Sequence, residues 1–169
     1  MNILIGGYKN SGKTRFARYF CEAAGITFHD TSTIVLNKVY AESDFGFRDT
    51  FETFEAFVAA KDELRPALYD AIRALNKDDD SRIAAHVINI IPVYVGMRSH
   101  EEFYGCVDEG LFGLTVWIDR GGFEGKDSCT VSESDFDIIV ENIGSIPDLK
   151  RKAQRLGKLY FRNRISAPS

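Results

Sequence analysis

The most constraining feature of this sequence is a phosphate-binding pattern between a short apolar run and an amphipathic stretch. Residues 7–14 read Gly-Tyr-Lys-Asn-Ser-Gly-Lys-Thr, which fits G-x-x-x-x-G-K-[ST]. Residues 2–6 are typical of a buried strand, and residues 15–24 are typical of the helix that follows. Strand, loop and helix N-terminus would place several backbone N–H groups around one anion. We therefore expect a parallel α/β fold that binds a phosphate-bearing ligand.

The residues of this loop are expected to contact different parts of the ligand. Lys13 would place its ammonium beside the outer phosphates, and the Thr14 hydroxyl would bind Mg²⁺. The expected ligands are ATP and Mg²⁺, with Lys13 catalytic and Thr14 the metal ligand. The competing interpretation is an ordinary glycine-rich turn between a strand and a helix. The nucleoside triphosphate contact is assigned to all eight loop residues: Gly7, Tyr8, Lys9, Asn10, Ser11, Gly12, Lys13 and Thr14.

Composition indicates one compact domain in a reducing compartment. The 169 residues are 44% hydrophobic and 27% charged, which is ordinary for a globular protein. The three widely spaced cysteines form neither a disulfide framework nor a zinc pattern. The N-terminus shows no cationic region before an apolar run, and no apolar stretch approaches the length of a bilayer. We expect a cytoplasmic protein without a membrane partner.

Strand and helix patterns alternate along the chain, which predicts a five-stranded parallel sheet with helices on both faces. Residues 1–169 form a single domain in this interpretation, and the charged, helical region 43–88 is the expected acceptor-binding or lid element. Ser99 and Glu102 have the spacing of a capping box at a helix start. Strands are expected at 3–6, 26–29, 92–95, 113–118 and 136–141. Helices are expected at 13–24, 33–40, 53–61, 65–75, 79–88, 99–109 and 146–159.

Four residues are candidates for the acceptor half of a site at the carboxyl ends of the strands. Asp30 follows the second expected strand and would serve as a base or orient Mg²⁺ through water, although it could instead cap the next helix. Arg98 would clamp a phosphate with its planar fork, or be a surface residue at a helix start. Arg120 is a second phosphate or base contact. Arg65 is a possible lid cation, or part of a salt-bridged helical surface.

Charge is unevenly distributed along the chain. Residues 149–169 contain seven basic side chains and no acidic one, whereas the whole chain has a net charge of −4. This basic C-terminal helix and tail would contact the phosphates of a DNA backbone. The alternative is that these cations complement a helix dipole and solvate one face of the helix.

Several of these segments together resemble the bacteriophage deoxynucleoside monophosphate kinases. They are the loop at 7–14, residues 93–103 with Arg98 and Glu101, the strand ending in Arg120, and residues 135–145 followed by Leu149. The similarity is weak between residues 43 and 88. It implies the P-loop kinase fold of the thymidylate and adenylate kinase group, and ATP-dependent phosphoryl transfer to a nucleotide-type acceptor.

Two departures from that family bear on the acceptor. Gly96 stands two residues before Arg98, where the family commonly has an Asp, and residues 28–31 look closer to small-alcohol kinases, which keep an Asp after the second strand. An alcohol acceptor benefits from a base, whereas a monophosphate oxygen needs none. The chain thus resembles the 5-hydroxymethyluracil DNA kinases, which phosphorylate that base in phage DNA during thymidine hypermodification. The alternatives are a kinase of free deoxynucleoside monophosphates and a non-catalytic nucleotide-binding switch.

Overall fold

The chain folds around a four-stranded parallel sheet. The computed structural model describes residues 1–42, 44–122 and 129–166, with residues 161–166 described by their backbone alone. In chain order the strands are β1 (Ile3–Gly6), β2 (Val93–Val95), β3 (Leu114–Asp119) and β4 (Ile138–Glu141). Their order in the sheet is β2-β1-β3-β4, so β1 pairs with a strand on each side.

Eight helices surround or extend from the sheet in this part of the chain. The helices at Lys13–Ala24 and Arg65–Leu75 have the bounds that the sequence predicts, while the short helix at Phe47–Thr50 was not expected. The full set is α1 (Lys13–Ala24), α2 (Thr31–Glu42), α3 (Phe47–Thr50), α4 (Phe54–Ala59), α5 (Arg65–Leu75), α6 (Arg82–Ile88), α7 (His100–Asp108) and α8 (Ile146–Ser166). A 3₁₀ turn spans Glu133–Asp135.

The prediction of a fifth strand at 26–29 is wrong. Ile26 and Phe28 are half-buried between exposed neighbours, which is the alternation that suggested a strand, but the segment joins no ladder among the described strands. The N–H of Val95 in the neighbouring β2 donates to Thr31 Oγ1 at 2.9 Å instead of to a strand carbonyl. The first turn of α2 therefore covers this edge of the sheet with a side-chain hydrogen bond.

The two faces of the sheet carry separate apolar layers, which confirms the prediction of helices on both faces. Ile3, Ile5 and Val116 point to one face and pack with α1 and α8. Leu4 and Trp117 point to the other face and pack with α2 and the helices from α4 to α7. Successive residues of a strand point to opposite faces, so each short strand contributes to both layers.

Region 44–88 is helical, as the sequence predicts, and is joined to α2 by aromatic rings. Phe57 is fully buried, and its ring lies 4.9 Å from that of Phe47 and 5.3 Å from that of Tyr40, between centroids. Such contacts add a directional ring–ring attraction to the burial of apolar area. This cluster makes the region part of the sheet's second apolar layer.

Helices α1 and α8 pack against each other more extensively than any other pair of described helices. Gly157 lies against α1, where a Cβ at this position would come within 2.5 Å of the Phe20 carbonyl oxygen and 3.0 Å of Ala23 Cβ. The Tyr160 hydroxyl donates to the Met1 carbonyl on the same side. The absence of a side chain at 157 thus sets how near the C-terminal helix comes to α1.

Within the residues described, no helix is both long and apolar enough to cross a membrane.

Replacing Gly157 with Ala should destabilise the fold. The added methyl would press on the Phe20 carbonyl, and overpacking of this kind costs about 1–3 kcal/mol. That cost should exceed the gain of about 1 kcal/mol in helix propensity. Urea unfolding of Gly157→Ala and of Lys158→Ala, an exposed neighbour, measures the difference. Equal stability of the two variants would contradict the close α1–α8 contact.

Candidate phosphate and acceptor site

Loop 7–14 adopts a conformation that its glycines make possible. Gly7 has φ +139° and Gly12 has φ +97°, and Asn10 is a non-glycine residue with φ 64°. A Cβ on Gly7 would lie 2.6 Å from both the Ile118 carbonyl oxygen and Ser11 Oγ. The backbone can fold this tightly beneath a ligand only where no side chain intervenes.

Side chains from distant parts of the sequence hold the loop in place. Asn142 Nδ2 donates to the Ser11 carbonyl at 2.7 Å, and Arg120 Nη1 donates to the Asn10 carbonyl at 3.0 Å. Lys13 Nζ donates to the Tyr8 carbonyl at 2.8 Å. With these carbonyls occupied on the protein side, the loop conformation is fixed before any ligand binds.

The loop also contains a polar group suited to a phosphate. Ser11 is 3% exposed, and its hydroxyl oxygen has no hydrogen-bond partner among the described residues. A buried hydroxyl without a partner costs free energy, and a ligand oxygen would remove that cost. Together with the Lys13 ammonium and the positive-φ glycines, this residue makes the loop a fitting cradle for the phosphates of ATP.

Thr14 lies exposed at the first turn of α1, directly after Lys13. Its hydroxyl is a hard oxygen donor of the kind that Mg²⁺ binds. Among the residues with described coordinates, no three His, Cys, Asp or Glu side chains come together as a metal-binding group.

Two cavities flank the loop. A smaller one, of about 250 Å³, lies between loop residues 8–11 and residues 119–122 after β3. A larger one, of about 920 Å³, lies between the end of β2 and helices α2, α5 and α7, and Gly96 is in its wall. A Cβ on Gly96 would be 3.8 Å from Lys13 Cε. Lys13 therefore lies behind Gly96, beside the wall of the larger cavity.

The candidate arginines are divided between these cavities. Arg98 and Arg65 both line the larger one, and Arg65 is paired with Asp62 at 2.6 Å. Arg120 lines the smaller one, where it holds the loop. The sequence suggested that Arg98 and Arg120 share the acceptor, but the structure places them at different cavities.

Asp30 acts as the cap of α2. Its Oδ1 accepts from the Ser32 N–H at 3.0 Å and from Ser32 Oγ at 2.8 Å, and its carbonyl accepts from the Thr33 N–H at 3.1 Å. Asp30 lines neither of the two cavities, although Thr31 and Ser32 line the larger one. The capping interpretation accounts for these contacts, and the role as a base or metal-orienting residue stays a prediction.

Sequence reasoning missed a buried acid in the wall of the larger cavity. The expected capping box is only half formed: Ser99 Oγ accepts from the Glu102 N–H at 3.3 Å, but the Glu102 carboxylate does not return to Ser99. It accepts instead from the Tyr94 hydroxyl at 3.0 Å. Tyr94 is in β2, and the pairing of these two residues could not be read from their separation in sequence.

The environment of Glu102 disfavours its charge. The side chain is almost completely buried, and burial raises the pKa of Glu102 to about 7, with Asp80 contributing in the same direction. The hydrogen bond from Tyr94 opposes the increase. Burial also raises the pKa of Tyr94 well above its usual value. The cavity wall therefore contains a carboxyl group that titrates near neutral pH.

The basic side chains of α8 are partly engaged within the protein. Lys150 lies 5.3 Å from the centre of the Tyr19 ring, Lys152 Nζ donates to the Glu141 carbonyl at 2.6 Å, and Arg151 pairs with Asp148 at 2.5 Å. Arg155 and Lys158 are exposed. The basic side chains beyond residue 160 lie outside the described residues.

No protein-family model and no curated protein matches this chain. The resemblance to phage nucleotide kinases thus stays a prediction carried by the residues that suggested it.

Glu102→Gln should gain stability relative to the wild type as pH rises. Between the ordinary pKa of 4.5 and the folded value of about 7, the folded wild type binds more protons than the unfolded chain, so its stability falls through this window. Glutamine carries no such penalty. The free energy of unfolding of the variant should improve by about 2 kcal/mol relative to wild type between pH 5 and pH 8.

Urea unfolding at several pH values measures this difference. Glu101→Gln is the matched control, because a hydrogen bond from Ser99 lowers the pKa of that exposed carboxyl. It should show no gain over the same range. A constant difference between Glu102→Gln and wild type would contradict the burial of a titrating carboxyl.

Proposed function

We propose that this protein is an ATP-dependent phosphoryl transferase that acts on a nucleotide-type acceptor. The observation that carries the proposal is the position of Lys13, which lies in a loop of the phosphate-binding pattern and also lies beside Gly96, a residue in the wall of the larger cavity. A donor held by the loop and an acceptor held in that cavity would meet at the Lys13 ammonium.

On the donor side, the loop N–H groups, the Ser11 hydroxyl and Lys13 would hold the phosphates of ATP. The smaller cavity beside Arg120 would hold the part of the nucleotide that leaves the loop. Mg²⁺, bound through the Thr14 hydroxyl, would neutralise charge on the phosphates. Because Asn142 and Arg120 fix the loop beforehand, little reorganisation is needed when the donor binds.

On the acceptor side, Arg98 and Arg65 supply positive charge to a cavity whose wall also includes apolar side chains. Leu68 and Ile72 of α5 and Val35 of α2 line it as well. Cations orient an anionic group, and an apolar wall suits the faces of a nucleobase. This combination supports a nucleotide, free or within a polymer, as the acceptor.

The preferred acceptor is the hydroxymethyl group of 5-hydroxymethyluracil in phage DNA. The hydroxyl oxygen would form a bond to the γ-phosphorus of ATP as the bond to the ADP oxygen breaks, and the hydroxyl proton would pass to a base. Two features support this acceptor. Asp30 directly follows residues 26–29, and Arg155 and Lys158 are exposed cations on α8. The proton would pass to Asp30 in this scheme.

A free deoxynucleoside monophosphate is the second candidate acceptor. It is favoured by the engagement of Lys150, Arg151 and Lys152 within the protein, which leaves less charge for DNA. It is also favoured by the capping role of Asp30, because a monophosphate oxygen needs no base. A non-catalytic switch remains the third proposal, and Gly96 in place of an Asp is its support.

Transfer of labelled phosphate from ATP tests the proposal and separates the three candidates. We expect label to enter single-stranded DNA containing 5-hydroxymethyluracil faster than free deoxynucleoside monophosphates. Lys13→Met should reduce the rate by about 10² or more, because it removes a cation from the developing charge. Lys38→Met, which removes a cation of α2 that lines neither cavity, is the comparison variant.

The reverse preference would identify the free-nucleotide kinase. If the protein binds ATP through the loop but shows no multiple-turnover transfer to any acceptor, the non-catalytic switch is the candidate that agrees with the result.

The salt dependence of DNA binding tests the basic helix. If Arg155 and Lys158 contact phosphates, the variant Arg155→Gln/Lys158→Gln should lose about 0.9 in the slope of log K against log salt for each contact, or about 0.7 on single strands. Arg48→Gln, which removes a cation from α3 on the region 44–88, is the charge control. Fluorescence anisotropy over a salt series provides the slopes, and identical slopes would assign these cations to solvation of the helix.

A further inference from the structure

The buried pair Tyr94–Glu102 takes no part in the phosphoryl transfer proposed above. Both residues line the larger cavity, yet neither belongs to the loop or to the cations that would hold phosphate. Glu102 is 7% exposed. A carboxyl group buried to this extent is costly for a fold unless its oxygens are matched by hydrogen-bond partners.

Only one oxygen of this carboxyl group is matched within the protein. Tyr94 donates to Oε1 at 3.0 Å, whereas Oε2 accepts no hydrogen bond from the described residues. Since Glu102 is part of the cavity wall, this second oxygen is available to a molecule in the cavity.

The cavity has two chemically different ends along α5. At its beginning, Arg65 forms an ion pair with Asp62 at 2.6 Å. Near its end, the charge of Arg73 acts on Glu101 of α7. Eleven residues of helix span about 16 Å, which exceeds the length of a nucleobase. Glu102 is also in α7, which lies against Asp80 at Gly105, so it belongs to the end away from Arg65.

Acidic groups surround Glu102 at that end. Asp80 raises the pKa of its carboxyl, and Tyr94 is a weak acid that is fully buried. Cys106 lies close enough for the Glu102 charge to raise the pKa of its thiol. The cavity wall also contains the cations Arg73, Lys77 and Arg98. A second anion beside this cluster would be repelled, whereas a neutral donor of a hydrogen bond would be bound.

We propose that Glu102, positioned by Tyr94, is a specificity-determining residue that accepts a hydrogen bond from an N–H or O–H group on the uncharged ring of the acceptor. This inference rests on the proposed function, because it assigns the larger cavity to the acceptor. It adds the orientation of that acceptor: the anionic part faces Arg65, and the neutral ring faces α7. A hydroxymethylated 2,4-dioxopyrimidine carries both kinds of donor.

Binding measurements on matched probes test the proposal. The probes are fluorescently labelled single-stranded oligodeoxynucleotides that contain one 5-hydroxymethyluracil, its N3-methyl derivative, or thymine. The second probe lacks the ring N–H and the third lacks the hydroxyl. Thymidine 5′-monophosphate and its N3-methyl derivative form a second set, measured by calorimetry, for a free-nucleotide acceptor.

The wild type should bind at least one donor-lacking probe about tenfold more weakly than its parent, as expected for losing a hydrogen bond to a charged or buried group. The probe that loses affinity identifies the donor. Glu102→Leu should abolish this discrimination, and Glu102→Gln, which keeps the shape and one acceptor oxygen, should reduce it less. Tyr94→Phe should also reduce it, because Glu102 loses the donor that positions it.

Glu109→Gln, which removes the same charge at an exposed position just after α7, is the control and should discriminate as the wild type does. Circular dichroism establishes that each variant is folded. Equal affinity of the wild type for all members of both sets, or discrimination retained in Glu102→Leu, would overturn the proposal. Failure of wild type to bind either set would overturn it as well.

Phosphate transfer, measured on the same probes, separates this inference from the function on which it rests. If the probes are discriminated but no phosphate is transferred, the binding role of Glu102 is supported and the kinase activity is contradicted. Transfer without discrimination would leave the kinase and remove the role of Glu102.

Discussion

The conformation of loop 7–14 is the constraint on which the rest of this structure depends. The loop follows β1, which pairs with a strand on each side, so it emerges at the centre of the sheet. Its carbonyls are held by Asn142, which follows β4, and by Arg120, which follows β3. The order of the strands therefore determines which side chains reach the loop, and a glycine at 7 and 12 lets the backbone close around an anion.

The same strand order explains the two cavities. Residues after β3 form one side of the smaller cavity, and residues after β2 form part of the larger one, with β1 and Lys13 between them. A site at the carboxyl ends of neighbouring parallel strands is the ordinary arrangement for such sheets. The two cavities thus lie on either side of the central strand and of the loop that follows it.

Asp30 and Glu102 show how far a sequence pattern can predict a site. The sequence favours Asp30 as the base because it follows a segment with the pattern of a strand. That segment pairs with none of the described strands, and Asp30 caps α2. Glu102 matched a capping box, a purely local pattern, and was expected to hydrogen-bond its own helix. Its carboxylate instead accepts a hydrogen bond from Tyr94, a residue of β2 that tertiary packing places next to Glu102.

The sequence by itself determined the features that depend on neighbouring residues: the loop, the bounds of α1 and α5, the parallel α/β class and the helical character of region 44–88. These follow from glycine spacing, periodicity and helix-end residues, which act over a few positions. The tertiary structure alone decided that the sheet has four described strands, that Arg98 and Arg120 serve different cavities, and that a carboxyl group is buried at Glu102. Each of these outcomes is set by contacts between residues far apart in the chain, where packing and desolvation outweigh local preference.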